Sequence, residues 1–299
     1  VAGMTVNRWC GSSMQSIRNA AGSIAMGSGK VFICAGVESM TRVPMLGFNP
    51  MPHPELLEQN PNVYLSMGVT AENVAKKYNI DRTQQQEFAI SSHEKANNAD
   101  TNGKFEDEIT IIKDKKVDVM KDGGIRPGTN QEVLSGLKLA FDNNGTVTAG
   151  TSSPLTDGAA ATLICEEEYA KSNNLEILAR IKSTAVNGCE PEVMGLGPIG
   201  ASKKALSRAG LKSSDLDIIE LNEAFASQSL ACVKDLELDE KSVNIDGGAI
   251  ALGHPLGATG ARITGKAAQL LKREGKKFAL ATQCIGLGQG IATVLEAVE

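Results

Sequence analysis

Thr5-Val-Asn-Arg-Trp-Cys10-Gly-Ser-Ser-Met-Gln-Ser-Ile-Arg18 is the stretch from which the rest of the chain is read. A short β-type run ends at Cys10 and two small residues follow. Gln15 to Met26 then carries apolar residues at helical spacing, Ile17, Ala20, Ala21 and Ile24. The pattern predicts a strand-to-helix turn with Cys10 on it. The first amides of a helix lack intrahelical partners and its N-terminus is partially positive, so a thiolate placed there is favoured over the thiol. A helix end contributes at most about 2 kcal/mol, roughly 1.5 pKa units, which lowers a thiol from about 8.5 only to about neutrality. A competent nucleophile at this position therefore still needs a base. An isolated cysteine in an α/β protein is more often an inert core thiol, and other motifs must decide.

Outward from this stretch, Gly27-Ser28-Gly29 ends the helix, and Val31 to Val37 reads as a fully buried strand, completing a βαβ unit. Pro44, Pro50, Pro52, Pro54 and Pro61 mark an irregular excursion. Helices are predicted over Val69 to Tyr78 and Thr83 to Asn97, the second opening with Asp81-Arg-Thr-Gln. Phe105 to Lys113 and Lys115 to Lys121 read as short strands or a hairpin. Gly145 to Ala161, rich in glycine and hydroxyls, suits close approach to a ligand chain and runs into a buried strand, Ala159 to Cys165. Further strands are expected at Ala179 to Val186 and Leu216 to Leu221. Helices are expected at Ala201 to Ala209 and at Glu223 to Lys234, with Asn222 as N-cap. Strand, turn, helix and strand then recur at Ser242 to Asp246, Gly247 to Gly257, Ala258 to Lys272 and Lys277 to Gln283. The closing part repeats the opening plan, which predicts two related α/β halves facing a shared site. Residues 1–43 and 141–172 form the N-terminal half, 44–140 a loop or lid insertion, and 173–299 the C-terminal half.

Composition narrows the class. With 299 residues, 41% hydrophobic and 22% charged, the chain can bury a large core and carries no apolar run long enough for a membrane span. A net charge of -5 and a pI near 5.4 argue against a nucleic-acid binder driven by phosphate contacts. The six cysteines show no C-x-x-C pairing, which points to reduced thiols and away from zinc or a disulfide framework. No signal or transit peptide is read at Val1. The expected location is cytoplasmic, or mitochondrial or peroxisomal in a eukaryote.

Three further motifs change the weight on Cys10: Leu221-Asn-Glu-Ala-Phe225, Gly247-Gly-Ala-Ile-Ala-Leu-Gly-His-Pro-Leu-Gly257 and Cys284-Ile-Gly-Leu-Gly-Gln-Gly290. Together with Val6-Asn-Arg-Trp-Cys-Gly-Ser-Ser13 the sequence resembles the thiolase family along essentially its whole length, nearest to the degradative 3-ketoacyl-CoA branch. The resemblance implies a thiolase-like two-half α/β fold with mixed sheets sandwiched by helices. The family's strands and helices ahead of the nucleophile loop have no counterpart here, so an N-terminal half short of strands is expected. It implies thiolytic cleavage of 3-ketoacyl-CoA through an acyl-enzyme, with coenzyme A as substrate and no cofactor or metal. Cys10 fits the nucleophile by placement. His254, in a Gly-His-Pro turn, could take its proton, and the resemblance implies that role. Cys284 is the acid that protonates the departing carbanion-like enolate. By resemblance, one oxyanion hole is built from His254 and a water held by Asn222, the other from the amides of Cys10 and Gly286. The family pattern carries over to Ser153, Ala149 and Leu155 beside the pantetheine and to Arg126 near the nucleotide phosphates. Phe141, Phe225 and Met67 are read as pocket lining.

The plainer readings stand beside these. A histidine in a turn is more often a structural hydrogen-bonder, and His53 and His93 are left as such. Cys34, Cys165, Cys189 and Cys232 are read as core, and an exposed Arg126 as only solvated. Ser66 stands where short-chain biosynthetic relatives often carry His. This favours a longer-chain degradative substrate and leaves open an acetoacetyl-CoA thiolase of the condensing direction, or a non-catalytic CoA-binding chain. Ketoacyl synthases share the fold and a cysteine nucleophile, but the Cys284 motif is not theirs. The family further implies a homodimer or tetramer, with a hydratase and dehydrogenase subunit as a β-oxidation partner.

Overall fold

The computed structural model describes residues 1–113 and 117–298. Two sheets share one helical layer. β1 (Val31–Ser39) pairs antiparallel with β2 (Asp157–Cys165), Val31 opposite Cys165 and Ser39 opposite Asp157. The second sheet contains β3 (Arg180–Gly188), β4 (Ile218–Leu221), β5 (Phe278–Ile285) and β6 (Gln289–Glu296), in the order β3-β6-β5-β4. Only its β4–β5 pair is parallel.

The described α-helices are α1 (Ser12–Ala25), α2 (Pro54–Gln59), α3 (Met67–Tyr78), α4 (Arg82–Thr101), α5 (Gln131–Ser135), α6 (Glu167–Ser172), α7 (Gly197–Ala209), α8 (Ala226–Asp235), α9 (Ala249–Leu252) and α10 (Leu256–Glu274). α1 and α10 form the shared layer, packed on both sheets. Met14, Ile263, Ala267 and Leu270 press on one face of the four-stranded sheet. α7 and α8 cover its other face through Ala201, Ala205, Cys232 and Val233. Gly260 permits the crossing of α1 and α10, because a Cβ there would fall 2.3 Å from the Met14 amide nitrogen.

The structure corrects several expectations. Residues 1–8 form no strand; Trp9–Gly11 is a 3-10 turn that leads directly into α1. Alternation makes a strand only where a ladder partner exists, and none of the described strands lies alongside this run. β1 and β2 are strands but not buried ones: Ile33 is 78% and Val37 75% exposed, while Cys34 faces α1. The uncovered face lines an open groove of about 2030 Å³. Ser242 to Asp246 is not a strand. It contributes to a 3-10 turn, Glu240–Ser242, and a single parallel bridge from Val243 to Ile219. Gly247 to Gly257 includes the short α9. Cys165 and Cys189 are only partly buried, unlike Cys34 and Cys232. Asn222 is no N-cap, since α8 begins only after Phe225. β6 has no counterpart among the expected strands, because its Gly-rich start masks the β pattern.

Among the residues of the 44–140 stretch, Asp81 and Gln84 form a reciprocal capping box at the start of α4. Phe105 to Glu108 turns rather than extending, and Ile112 pairs antiparallel with Val119 as in a hairpin. The part of the hairpin expectation at 114–116 lies outside the described residues.

Candidate active site

Cys10 sits on the 3-10 turn at the N-terminal end of α1. Several contacts fix this turn against the β5–β6 end of the large sheet. Arg8 Nη1 donates to Gln289 Oε1 at 2.6 Å, and its Nε donates to Gln15 Oε1 at 3.0 Å. The Gln283 side-chain amide donates to the Cys10 carbonyl. Gly11 lies so near β5 that a Cβ would fall 2.5 Å from Ile285 Cδ1. Trp9, at φ 44°, and Leu287, at φ 66°, both hold left-handed backbone beside the two loops. Such conformations cost about 1–3 kcal/mol where surrounding structure enforces them, and they concentrate at functional sites.

The backbone amides of Gly286 and of Cys10 itself lie near the Cys10 sulfur and favour its thiolate. Burial outweighs both and pushes the thiol up to about 11, with the Glu38 carboxylate adding to the rise. The helix end therefore does not bring the resting thiol near neutrality, because desolvation of the anion exceeds what amides and dipole return. Cys284, at the end of β5, is buried and pushed well above the ordinary thiol range, chiefly by burial and then by the proximity of Cys10. Ala71, Met194, Ala224 and Phe225 pack around it, with Met67 against the same cluster.

His254 follows Gly253, whose φ of 95° turns the chain out of α9. Its amide donates to Thr156 Oγ1 at 3.1 Å, tying this turn to the end of the Gly145 to Ala161 segment. The ring is buried, with Nδ1 2.6 Å from Thr259 Oγ1 and Nε2 3.3 Å from Asn222 Nδ2. Burial, then the positive charge of Arg262, pushes the imidazole down to about 3, so it rests neutral. Asn222 stands just past the end of β4, its amide donating to the Thr282 carbonyl at 3.0 Å. That backbone bond leaves the side chain free to face the imidazole, and its Oδ1 is buried with no hydrogen-bond partner among the described residues. Glu223 holds the same corner, accepting from Ser92 Oγ at 2.6 Å, Asn244 Nδ2 at 2.7 Å and the Ile250 amide at 3.1 Å.

The two turns meet through the helices they begin. A Cβ on Gly257 would lie 4.0 Å from Ser12 Cβ, and the Ala261 amide donates to Ser13 Oγ at 2.8 Å. Cys10, Cys284 and Gly286 thus form one cluster, and His254 and Asn222 another, at the adjoining N-terminal ends of α1 and α10.

The residues expected around coenzyme A divide. Phe141 meets Phe225 edge-on with ring centroids 5.9 Å apart, and lies flat on Gly68, where a Cβ would fall 2.1 Å from its ring. The Ser153 amide and hydroxyl both donate to the Ala224 carbonyl, at 3.0 and 3.2 Å. Ala149 begins the 3-10 turn just before it. Leu155 and Arg126 instead line the open groove over β1 and β2, apart from the Cys284 cluster. The Arg126 amide donates to His93 Nδ1 at 3.2 Å, a structural use of that histidine, and His53 likewise caps α2. Sequence reading misses Thr259, Gln283, Glu223 and Glu38. Only Glu223, inside the Asn-Glu-Ala-Phe motif, carries a signal.

Comparison with known proteins follows the same two-half plan. The thiolase N-terminal domain matches residues 1–168 and the thiolase C-terminal domain residues 175–297. A 3-ketoacyl-CoA thiolase of Shewanella loihica is 52% identical over 305 residues, covering 98% of this chain and 78% of the relative. The crystal structure of human mitochondrial 3-ketoacyl-CoA thiolase superposes with a TM-score of 0.90 at 40% identity, covering 98% of this chain and 78% of that one. That of the Bacillus anthracis acetyl-CoA acetyltransferase gives 0.89 at 39% identity, covering 100% and 79%. Matched along both halves in sequence and in fold, the chain belongs to the thiolase family.

Proposed function

We propose that this chain cleaves 3-ketoacyl-CoA with coenzyme A, releasing acetyl-CoA and a shortened acyl-CoA, as an acyltransferase of fatty acid β-oxidation. The observation that carries the reading is the placement of Cys10 on the turn that opens α1, with the Gly286 amide and the buried Cys284 thiol beside it. His254 takes the Cys10 proton on Nε2, and the sulfur attacks the keto carbon. The bond between that carbon and the α-carbon breaks, its electron pair passing to acetyl-CoA as an enolate, and the Cys284 S–H supplies the proton to the α-carbon. Coenzyme A then gives its thiol proton to the Cys284 thiolate and attacks the acyl-enzyme. Cys10 leaves and recovers its proton from His254. Amides beside the sulfur are suited to the oxygen that develops charge next to it, each such donor contributing about 3–4 kcal/mol. The orphaned Asn222 Oδ1 supports a water held there as the partner of His254 in the other oxyanion hole.

Residues 44–140 act as the loop or lid excursion in this reading, supported by the packing of Met67 on the Cys284 cluster. Ser153, Ala149 and Leu155 take the pantetheine, Arg126 the nucleotide phosphates, and Met67, Phe141 and Phe225 the acyl chain. The working form is a homodimer or tetramer, with a hydratase and dehydrogenase subunit as partner, in the cytoplasm, or in the mitochondrion or peroxisome of a eukaryote.

The test is intact-mass and peptide-mass analysis after incubation with acetoacetyl-CoA. An acetyl thioester on Cys10, absent from Cys10→Ser, is expected; its absence from the parent protein removes the catalytic reading. A ketoacyl chain-length series then separates the degradative enzyme from the condensing acetoacetyl-CoA thiolase. The fold does not separate them, since the two solved relatives superpose almost equally well. Turnover confined to the four-carbon substrate would favour the condensing enzyme.

A further inference from the structure

Thr259 lies in the first turn of α10, fully buried, five residues after His254. Its Oγ1 is 2.6 Å from His254 Nδ1 and 3.0 Å from the Pro255 carbonyl oxygen. A carbonyl only accepts, so the single hydroxyl proton of Thr259 goes to Pro255 and its oxygen is left as an acceptor toward the imidazole. Nδ1 then carries the ring proton. In a neutral imidazole Nε2 is thereby bare, in agreement with the Asn222 Nδ2 donor facing it at 3.3 Å. The side-chain direction has a simple cause. Helical side chains lean toward the N-terminus, so a hydroxyl in the first turn reaches back over the residues that enter the helix.

We propose that Thr259 is a positioning residue: it locks His254 as the Nδ1–H tautomer and presents a bare Nε2 to receive the Cys10 proton. The inference rests on His254 as the base. The proton of the Cys10 S–H moves to Nε2, giving thiolate and imidazolium, while the Nδ1 proton stays on the ring and the Thr259 proton stays on Thr259. The acceptor behind Nδ1 is neutral, unlike the aspartate of a Ser-His-Asp triad, so it fixes the tautomer without holding the imidazolium in an ion pair. The charged groups around the turn fit this economy. Arg262, further along α10, opposes the imidazolium, and the Glu38 carboxylate on β1 accepts from the Gly257 amide at 2.9 Å. The imidazolium is thus favoured only while a thiolate is nearby, and its proton returns when Cys10 leaves.

The chain has three histidines, so nitrogen NMR can read the His254 tautomer directly, with His254→Asn assigning the signal. The parent protein is expected to show a bare Nε2 and a protonated Nδ1; an Nε2–H form overturns the proposal whatever the variants do. With acetoacetyl-CoA, Thr259→Val is expected to slow Cys10 acylation about tenfold or more, and Thr259→Ser to stay within about threefold of the parent. A folded Thr259→Val with the parent's acylation rate and tautomer overturns it too. Should that variant not fold, the parent tautomer and Thr259→Ser still decide. His254→Asn acylating at the parent rate would instead remove the base assignment itself, a result distinguishable from failure at Thr259.

Discussion

At the scale of single residues, the nucleophile and its base rest uncharged. Burial holds the Cys10 thiol at about 11 and the His254 imidazole at about 3, so at neutral pH the pair is thiol and imidazole, not thiolate and imidazolium. Proton transfer then belongs to the complex with substrate, where the oxyanion donors and the carbonyl share the new charge. The expected consequence in the substrate-free protein is that iodoacetamide labels Cys10 faster at each step from about pH 6 to about pH 9, following the rising thiolate fraction. Peptide mass spectrometry measures this, and a flat rate across neutral pH would mean a resting ion pair. His254 also bears on stability. Its folded value lies below the ordinary 6.5, so the unfolded chain binds more protons between the two, and stability contributed by the neutral ring is lost as pH falls from about 6.5 toward about 3.

At the scale of elements, α10 is the piece on which the site depends. Its N-cap, Pro255, offers no side-chain cap, and the Glu38 carboxylate on β1 supplies the missing acceptor through the Gly257 amide. Gly36 makes that approach possible: a Cβ there would fall 2.1 Å from the Gly257 oxygen and 2.6 Å from Ala258 Cα, both backbone atoms unable to swing aside. Gly36→Ala is expected to cost about 1–3 kcal/mol and to slow Cys10 acylation by displacing the His254 turn. An unchanged denaturant midpoint would show that β1 and α10 adjust freely. This dependence is not legible in the sequence. The helix after Gly-His-Pro can be read from its apolar period, and the strand Val31 to Val37 from its β-branched run, but a run of apolar residues does not say whether its second face is covered. Ser242 to Asp246 looks like a strand for the same reason and is held by one bridge. Asn222 looks like a cap because Asn is a good one, whereas the helix starts four residues later and the side chain points at an imidazole. Cys10, His254 and Cys284 are legible because each lies in one of the short motifs that carry the resemblance to the thiolase family. Thr259 and Gln283 are not, since their partners are set by the crossing of elements and not by a pattern in the sequence.

At the scale of the whole molecule, charge is buried away from the site, against α10. Asp246 is enclosed and accepts a two-pronged contact from Arg273, at 2.6 and 3.0 Å, and a contact from Lys266 at 2.7 Å. Glu220 on β4 lies near this group with no hydrogen-bond partner for its Oε1 among the described residues, and burial pushes it up to about 8. A carboxyl raised in the folded state holds a proton that the unfolded chain releases, so stability declines as pH rises from about 4.5 to about 8. Glu220→Gln, which keeps the shape without the titration, is expected to flatten that decline. Denaturant titrations at several pH values measure it, and an undiminished slope would assign the decline to other groups.

The bond from the Gln283 side chain to the Cys10 carbonyl joins residues 273 apart in the chain. A contact of that span closes a very long loop, so its entropy of closure must be met before the contact returns any stability. The ribosome therefore releases the nucleophile long before it makes the cradle. Throughout that interval Cys10 is an ordinary thiol, and the chain becomes an enzyme only when these two distant segments find one another.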